Sequence, residues 1–326
     1  MGDNDMSKFD VICIGQVVQD VLVTDIPYDA FSEDSDTALA KSIKLTTGGD
    51  AANEACALAK YGTKVALAVR VDKSNVGDAV FGALQSEGID TSLIKRPDDC
   101  ATISSIVIIH PDGHHHFFVG PGKNCTPELE DFNPEMFEGV KAVSVGSLFG
   151  LGKLDTDGID QVFEMAQNAG ALTFADMTYD LDGIGPHGFD KIYPFTDYLM
   201  PSIDEAMYVT GKEDPDEIAD YFLAAGVKNV VIKLGSKGCF FKNASERFYM
   251  DPFKVTPVDT TGCGDNFTAG FVHAKVKGLS HSECARFAGA AGALNSLGVG
   301  AHSYITSEQQ VLDFMETAEM VAFNRE

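Results

Sequence analysis

No stretch of this 326-residue chain approaches the roughly 18 to 20 uninterrupted apolar residues that a membrane-spanning helix needs. No membrane partner is expected. The run Met1 to Phe9 is polar and acidic where a secretory leader would be basic and then apolar, so a cytoplasmic location is the expectation. Basic residues are scarce: 24 Lys and Arg stand against 49 Asp and Glu, a net charge of −25. Such a surface repels polyanions, which argues against nucleic acid or an anionic membrane as a partner. The seven cysteines, Cys13, Cys56, Cys100, Cys125, Cys239, Cys263 and Cys284, are odd in number and widely scattered, with no Cys-x-x-Cys pair. That pattern reads as reduced thiols, neither a disulfide framework nor a zinc site.

Several chemical signatures are missing too. No Gly-x-x-x-x-Gly-Lys-Ser/Thr occurs, which excludes an ordinary P-loop, and no Gly-x-Ser-x-Gly nucleophile elbow occurs. Gly262-x-Gly264-x-x-Phe267 is one residue short of the dinucleotide fingerprint. No acid closes a following βαβ unit about 20 residues on, so a nicotinamide dehydrogenase is not supported.

What is present is an alternation of strand and helix patterns in a chain that is 44% hydrophobic, enough to fill a sizeable core. Phe9 to Gly15, Lys64 to Val71, Val140 to Val145, Leu172 to Ala175, Tyr198 to Met200 and Val230 to Leu234 are apolar runs of the buried-strand type. Asp50 to Lys60 is Ala-rich and ends at Gly62, and helical stretches follow at Thr156 to Asn168, Asp204 to Val209 and Asp216 to Ala225. The alternation predicts an α/β fold: a doubly wound, mostly parallel sheet flanked by helices, with ligands at the carboxyl ends of the strands. With no repeat or low-complexity linker, 1–326 reads as a single domain.

One segment breaks the alternation. Thr102 to His110 is rich in β-formers, Pro111-Asp112-Gly113 is a turn signal, and His114 to Gly120 returns as a second strand. A hairpin inserted at about 102–120 is a candidate lid. In His114-His115-His116 only His114 and His116 can share a strand face, and no carboxylate or Cys pair stands nearby at ligand spacing, so a solvated or substrate-facing hairpin is preferred to a metal site.

The most informative run is Asp259-Thr260-Thr261-Gly262-Cys263-Gly264-Asp265-Asn266-Phe267, followed by the helix-period stretch Thr268 to Val276. Its glycines let backbone amides converge on an anion at a helix N-terminus. An acid inside such a nest would repel phosphate, unless it takes the proton from a hydroxyl that attacks the phosphate. Asp265 is placed to be that base. Gly264 is expected to need a positive φ, and Cys263, at a helix start, is a thiol whose pKa could be lowered, against the plainer reading of a small residue that fits.

This run resembles the C-terminal signature of the ribokinase-like (PfkB) carbohydrate kinases, Asp-Thr-x-Gly-Ala-Gly-Asp-x-Phe, with Cys263 in place of Ala. The resemblance spans most of the chain, because further motifs follow in the right order. It implies a ribokinase-like fold, a small β lid closing over a sugar from about 17–24 and 102–120, and an ATP-dependent phosphotransferase acting on a hydroxymethyl hydroxyl of a sugar.

Each remaining motif has a generic reading beside the implied one. Asp20, in Gly15 to Asp20, suits vicinal hydroxyls or an ordinary turn, and Gly48-Gly49 with Asn53 suits backbone contact with a sugar or a plain loop. The resemblance assigns Asp20, Gly48, Gly49 and Asn53 to the sugar. Lys233-Leu234-Gly235-Ser236-Lys237-Gly238 reads as a β-turn or as the nucleotide loop that the resemblance implies, with Lys237 solvated. Ser202-Ile203-Asp204-Glu205 is similar to the family's Asn-x-x-Glu segment, which helps arrange Mg²⁺ and phosphates, but Ser stands where Asn is usual. Glu205 keeps the Mg²⁺ role through water, while Ser202 also fits a capping box. Asp259 and Thr261 match half of a monovalent-cation (K⁺) site known in relatives. The alternatives are a nucleoside kinase, for which Phe117, Phe118, Phe149 and Tyr179 could supply a base slot, and a sugar-binding sensor without turnover. A homodimer through the lid is a further expectation.

Overall fold

Strand β1 (Val11–Ile14) is apolar and fully buried at every position, as a strand covered on both faces must be. Val11 and Cys13 belong to one core cluster, Ile12 and Ile14 to the other, so the two clusters lie on opposite faces of the sheet to which β1 belongs. The computed structural model describes residues 8–323 except 31–36, 112–113, 121, 124 and 181. The remaining strands are β2 (Val18–Thr24), β3 (Ser42–Gly48), β4 (Val65–Ala68), β5 (Ile103–Ile109), β6 (His115–Val119), β7 (Ala142–Leu148), β8 (Leu172–Met177), β9 (Tyr198–Leu199), β10 (Asn229–Lys233), β11 (Cys239–Asn243) and β12 (Arg247–Met250). The helices are α1 (Asp50–Lys60), α2 (Asn75–Ser86), α3 (Lys153–Thr156), α4 (Ile159–Asn168), α5 (Ile203–Thr210), α6 (Pro215–Ala224), α7 (Cys263–Val276), α8 (His281–Asn295) and α9 (Glu308–Thr317).

The large sheet has the order β12-β11-β10-β9-β8-β7-β1-β4. Its strands from β4 to β10 are parallel, and β11 and β12 add an antiparallel edge. Apolar residues of α1, α7 and α8 fill one core cluster, and Val162 and Phe163 of α4 with Ile218 and Phe222 of α6 help fill the other. The expected doubly wound α/β fold is the observed one. No helix among the described residues is long and apolar enough to cross a membrane.

The lid is a separate four-stranded sheet, β3-β2-β5-β6. β5 and β6 pair antiparallel as the hairpin pattern predicts, while Asp112 and Gly113 of its turn lie outside the described residues. The reading from sequence omitted β3, which pairs with β2 along its whole length and ends at Gly48. Ile43, Lys44 and Leu45 are all exposed and only Thr47 and Gly48 are buried, so its apolar residues do not mark a core face. β2 and β5 run parallel and join the two hairpins into one sheet. The expected helix Thr156 to Asn168 is also broken: α3 ends at Thr156, and α4 starts after Gly158, whose φ is 128°.

Candidate active site

α7 starts where Gly262 turns the chain through a φ of 70°, and a side chain there would meet the carbonyl oxygen of Ala301 at 2.1 Å. Asn266, one turn along, donates from Nδ2 to Gly262 O and to Ala301 O, each at 2.7 Å, and so braces the nest from below. The positive φ expected at Gly264 falls instead on Gly262, because Gly264 is already inside the helix. The Cys263 amide is bonded to Thr260 O at 3.2 Å, so it is not among the donors that the sequence suggested. The amides of Gly264 and Asp265 follow in the first turn, where no intrahelical carbonyl reaches them. Burial, with Asp259 and Asp265 nearby, pushes the Cys263 thiol up to about 11 against a contact from Asn295, which outweighs the helix start. Cys263 is a small, protonated wall residue.

Asp265 meets one of the residues suggested for the acceptor directly: Asn53 Nδ2 of α1 donates to Asp265 Oδ2 at 2.6 Å. On the lid, Asp20 of β2 accepts from the Ser105 hydroxyl of β5, which stands opposite it in register. A side chain at Gly48 would lie 2.1 Å from Asp20 Oδ2, so the bare glycine is what lets the Asp20 carboxylate pack there. Gly49, with a φ of 91°, caps α1 and delivers Asn53 to Asp265. Asp20 and Thr46 also line a small cavity between the lid and the nest, with Phe117, Thr261 and Ala301.

A set of buried and half-buried acids surrounds one lysine. Lys233, at the end of β10, forms an ion pair with Asp176 at the end of β8, and Asp176 Oδ2 also accepts from Thr268 Oγ1 at 2.8 Å. Burial alone would lower the pKa of Lys233, but Asp176 and Glu205 outweigh it and hold the ammonium above its ordinary range. Burial, then the charges of Asp50 and Asp176, push Asp265 well above the usual carboxylate range, against Asn53 and Lys233. Asp50 accepts from Ser147 Oγ at 2.9 Å, yet burial and Asp176 raise it to about 6. Glu54 is fully buried, accepts from Ser144 Oγ at 2.5 Å and is driven well above its usual range by burial. The sequence reading missed Asp50, Glu54 and Asp176. The signal for Asp176 was an acid at the carboxyl end of a parallel strand, where ligands bind in such sheets.

Ser202 and Glu205 form the capping box of α5: Ser202 N donates to Glu205 Oε2 at 2.7 Å, and Glu205 N to Ser202 Oγ at 3.4 Å. The Ser202 hydroxyl is thus spent on the cap. Burial raises Glu205 to about 7, with Lys233 opposing and Asp176 assisting.

A cavity of about 470 Å³ opens beside this cluster, lined by Lys233, Gly235, Ser236, Gly238, Cys263 and Gly264 among others. It brings the suggested nucleotide loop and the nest to one wall, and its size suits a nucleotide. Lys237 is exposed, as expected. Asp259 braces the nest: Oδ1 accepts from Thr261 N at 2.9 Å and Thr261 Oγ1 at 2.6 Å, and Oδ2 from Gly300 N at 2.9 Å. Of the aromatics considered from sequence, Phe117 lines the small cavity beside Asp20 and Tyr179 is exposed. Phe149 packs in the core against Phe189, and Phe117 and Phe118 fall on opposite faces of β6. His114 and His116 share a face with ring centroids 4.8 Å apart, and His110 joins them.

A sequence model of the family described as pfkB family carbohydrate kinase matches residues 8–307. The chain belongs to that family. The kinase is similar to the ribokinase of Haemophilus influenzae, 28% identical over 94% of this chain and 98% of the relative. It is also similar to a probable fructokinase of Arabidopsis thaliana, 25% identical over 82% of this chain and 87% of the relative. Among solved structures, Arabidopsis thaliana ribokinase complexed with ribose and ATP matches with a TM-score of 0.77 and 26% identity, over 94% of this chain and 99% of that one. An E. coli protein crystallised with ATP and Mg²⁺ matches in fold with a TM-score of 0.80 and 20% identity, over 94% of this chain and 99% of that one.

Proposed function

We propose that the kinase transfers the γ-phosphoryl group of ATP to a hydroxymethyl hydroxyl of a small sugar, of ribokinase or fructokinase type, with Asp265 as general base. One observation carries this reading: Asn53, beside the acceptor glycines, bonds Asp265 at 2.6 Å, while Gly264 next to Asp265 lines the nucleotide cavity. The base therefore stands where the two halves of the site meet. The names of the ribokinase and fructokinase relatives support the sugar class.

In this mechanism Asp20, oriented by Ser105, and Gly48, Gly49 and Asn53 hold the sugar hydroxyls. Asp265 takes the proton of the attacking hydroxyl as the new O–P bond forms and the bond to the leaving ADP oxygen breaks in line. The Gly264 and Asp265 amides, aligned by the Gly262 turn, meet the charge on the transferring phosphoryl oxygens. Gly235, Ser236 and Gly238 line the cavity for the rest of the nucleotide. Mg²⁺ bound with ATP would neutralise phosphate charge. The carboxylates of Asp176 and Glu205, both beside Lys233, are hard oxygen donors that fit it, Glu205 through water. K⁺ is proposed at the loop that Asp259 and Thr261 order, and faster turnover in K⁺ than in Na⁺ would support it. The free cysteines and the use of ATP favour the cytoplasm.

The outer lid face supports a homodimer through the lid. Leu45, Val21, Ile106 and Phe118 form one cross-strand row there, and Leu45 and Phe118 are 69% and 60% exposed. Sedimentation of wild type and Phe118→Asp tests that proposal.

Release of ADP, followed across pentoses, hexoses and nucleosides, tests the main reading. A sugar should give turnover, and Asp265→Asn should lose about 10² to 10⁴ of it with the fold intact. Turnover within tenfold of wild type would remove Asp265 from the role, and a preference for a nucleoside would move the acceptor to that class.

A further inference from the structure

Three side chains from separate segments converge about one turn along α1 from Asn53. The Cys56 thiol, the Glu87 carboxylate that follows α2, and a ring nitrogen of His302 lie within 4.8 Å of one another. Cys56 is fully buried and His302 is 5% exposed, while Glu87 is partly exposed. None of the three has a part in the phosphoryl transfer, and none lines the nucleotide cavity.

His302 gives the cluster its direction. Its Nε2 lies 3.1 Å from Thr47 O and 3.3 Å from Thr47 Oγ1. A carbonyl oxygen can only accept, so Nε2 carries the proton and Nδ1 keeps a bare lone pair. That Nδ1 is buried and has no hydrogen-bond partner. A buried acceptor without a donor is costly, and an imidazole whose far N–H is tied to a carbonyl is the arrangement by which proteins aim a histidine at a metal. Lys60 Nζ stands 3.3 Å from Glu87 Oε2 and 2.5 Å from His302 O, which supplies a positive charge opposite Glu87.

We propose that Cys56, Glu87 and His302 form a binding site for one divalent transition metal of the zinc type, through Sγ, a carboxylate oxygen and Nδ1, with water as fourth ligand. One sulfur, one imidazole and one carboxylate suit zinc, whereas Mg²⁺ and K⁺ want oxygen alone. On binding, Cys56 gives its S–H proton to solvent as the S–metal bond forms; no electron is transferred, and the thiolate and carboxylate balance the two positive charges. Zinc–ligand bonds of about 2.0 to 2.3 Å need a tighter cluster than 4.8 Å, so the ion draws Glu87 and His302 inward.

The position makes such a site consequential. His302 follows Ala301, whose carbonyl is bonded by Asn266 under the anion nest, and its ring is bonded to Thr47, which precedes Gly48 of the acceptor loop. A bound ion ties both walls of the active site to α1.

Titration of the whole chain with Co²⁺ in the absence of ATP tests this. One Co²⁺ per chain should bind with a sulfur-to-cobalt charge-transfer band, Zn²⁺ should displace it, and Zn²⁺ should raise the unfolding midpoint. Cys56→Ser should abolish the band, and Glu87→Gln and His302→Gln should weaken binding at least tenfold. Cys100→Ser and Cys125→Ser should leave both intact. Should Cys56→Ser fail to fold, the partly exposed Glu87→Gln decides alone. A band that survives Cys56→Ser, affinity unmoved by Glu87→Gln, a band lost with Cys100→Ser, or no stoichiometric binding to the folded wild type overturns the site.

Discussion

Lys233 at the end of β10 reaches past β9 to pair with Asp176 at the end of β8, and the two side chains are 14% and 3% exposed. The pair is the electrostatic keystone of a site in which Asp50, Glu54, Glu205 and Asp265 otherwise face one another.

Removing the cation leaves those carboxylates uncompensated. Lys233→Met should destabilise the chain by about 3 to 5 kcal/mol, the usual cost of breaking a buried ion pair from one side. Denaturant unfolding at neutral pH is the measurement, and a loss under about 1 kcal/mol would mean that water already screens the cluster.

Glu205 offers a pH test. Burial pushes it up to about 7 in the folded chain from an ordinary value of about 4.5, so the folded state holds a proton there that the unfolded state releases. The resulting stabilisation is complete below about pH 4.5 and disappears as the pH rises through about 7. Relative to Glu205→Gln, which keeps the cap but does not titrate, wild type should lose stability between about pH 5 and pH 8. Parallel slopes for the two proteins would refute the shift.

The Asn53 amide lowers the pKa of Asp265. Asn53→Ala should therefore move the acidic limb of the kcat/KM profile to higher pH, as well as raise the KM for the sugar. An unmoved limb with only a KM change would confine Asn53 to binding.

Gly262 and Gly264 should respond in opposite ways. Gly262→Ala puts a methyl 2.1 Å from Ala301 O at a φ of 70° and should cost about 1 to 3 kcal/mol of stability. Gly264→Ala lies in helical backbone, 3.5 Å from Lys233 Nζ, and should hold or gain up to about 1 kcal/mol while the KM for ATP rises. Thermal unfolding and ATP titration separate the two outcomes.

Gly48→Ala should act on the sugar alone. The added methyl displaces the Asp20 carboxylate from Ser105, so the KM for sugar should rise about tenfold, as for loss of a charged hydrogen bond, with the KM for ATP unchanged. A matching loss for ATP would place Asp20 outside the acceptor site.

The fold was largely legible because β1 and β4 are unbroken apolar runs and β7, β8 and β10 are apolar at their centres, as strands of a sheet buried on both faces are. The glycine spacing marked the start of α7, but which glycine takes the positive φ, and that the Cys263 amide is bonded to Thr260 O, depend on where the helix begins. β3 was not legible, since Ile43 and Leu45 are exposed with Lys44 between them and its burial is confined to Thr47 and Gly48, so no buried face shows in the pattern. Asp50 and Glu54 escaped notice because an acid in an Ala-rich helix reads as a solvated face, and only the packing of α1 against β7 shows that Ser144 and Ser147 receive them. The Ser202 hydroxyl, by contrast, announced its cap through the acid three residues later.

β3 runs into α1 with only Gly49 between them. The lid is therefore spliced to the helix whose Asn53 bonds Asp265, through a single glycine. A tilt of β3 passed on through Gly49 would strain or relax the Asn53 to Asp265 contact, and the proton affinity of Asp265 would then report the position of the lid.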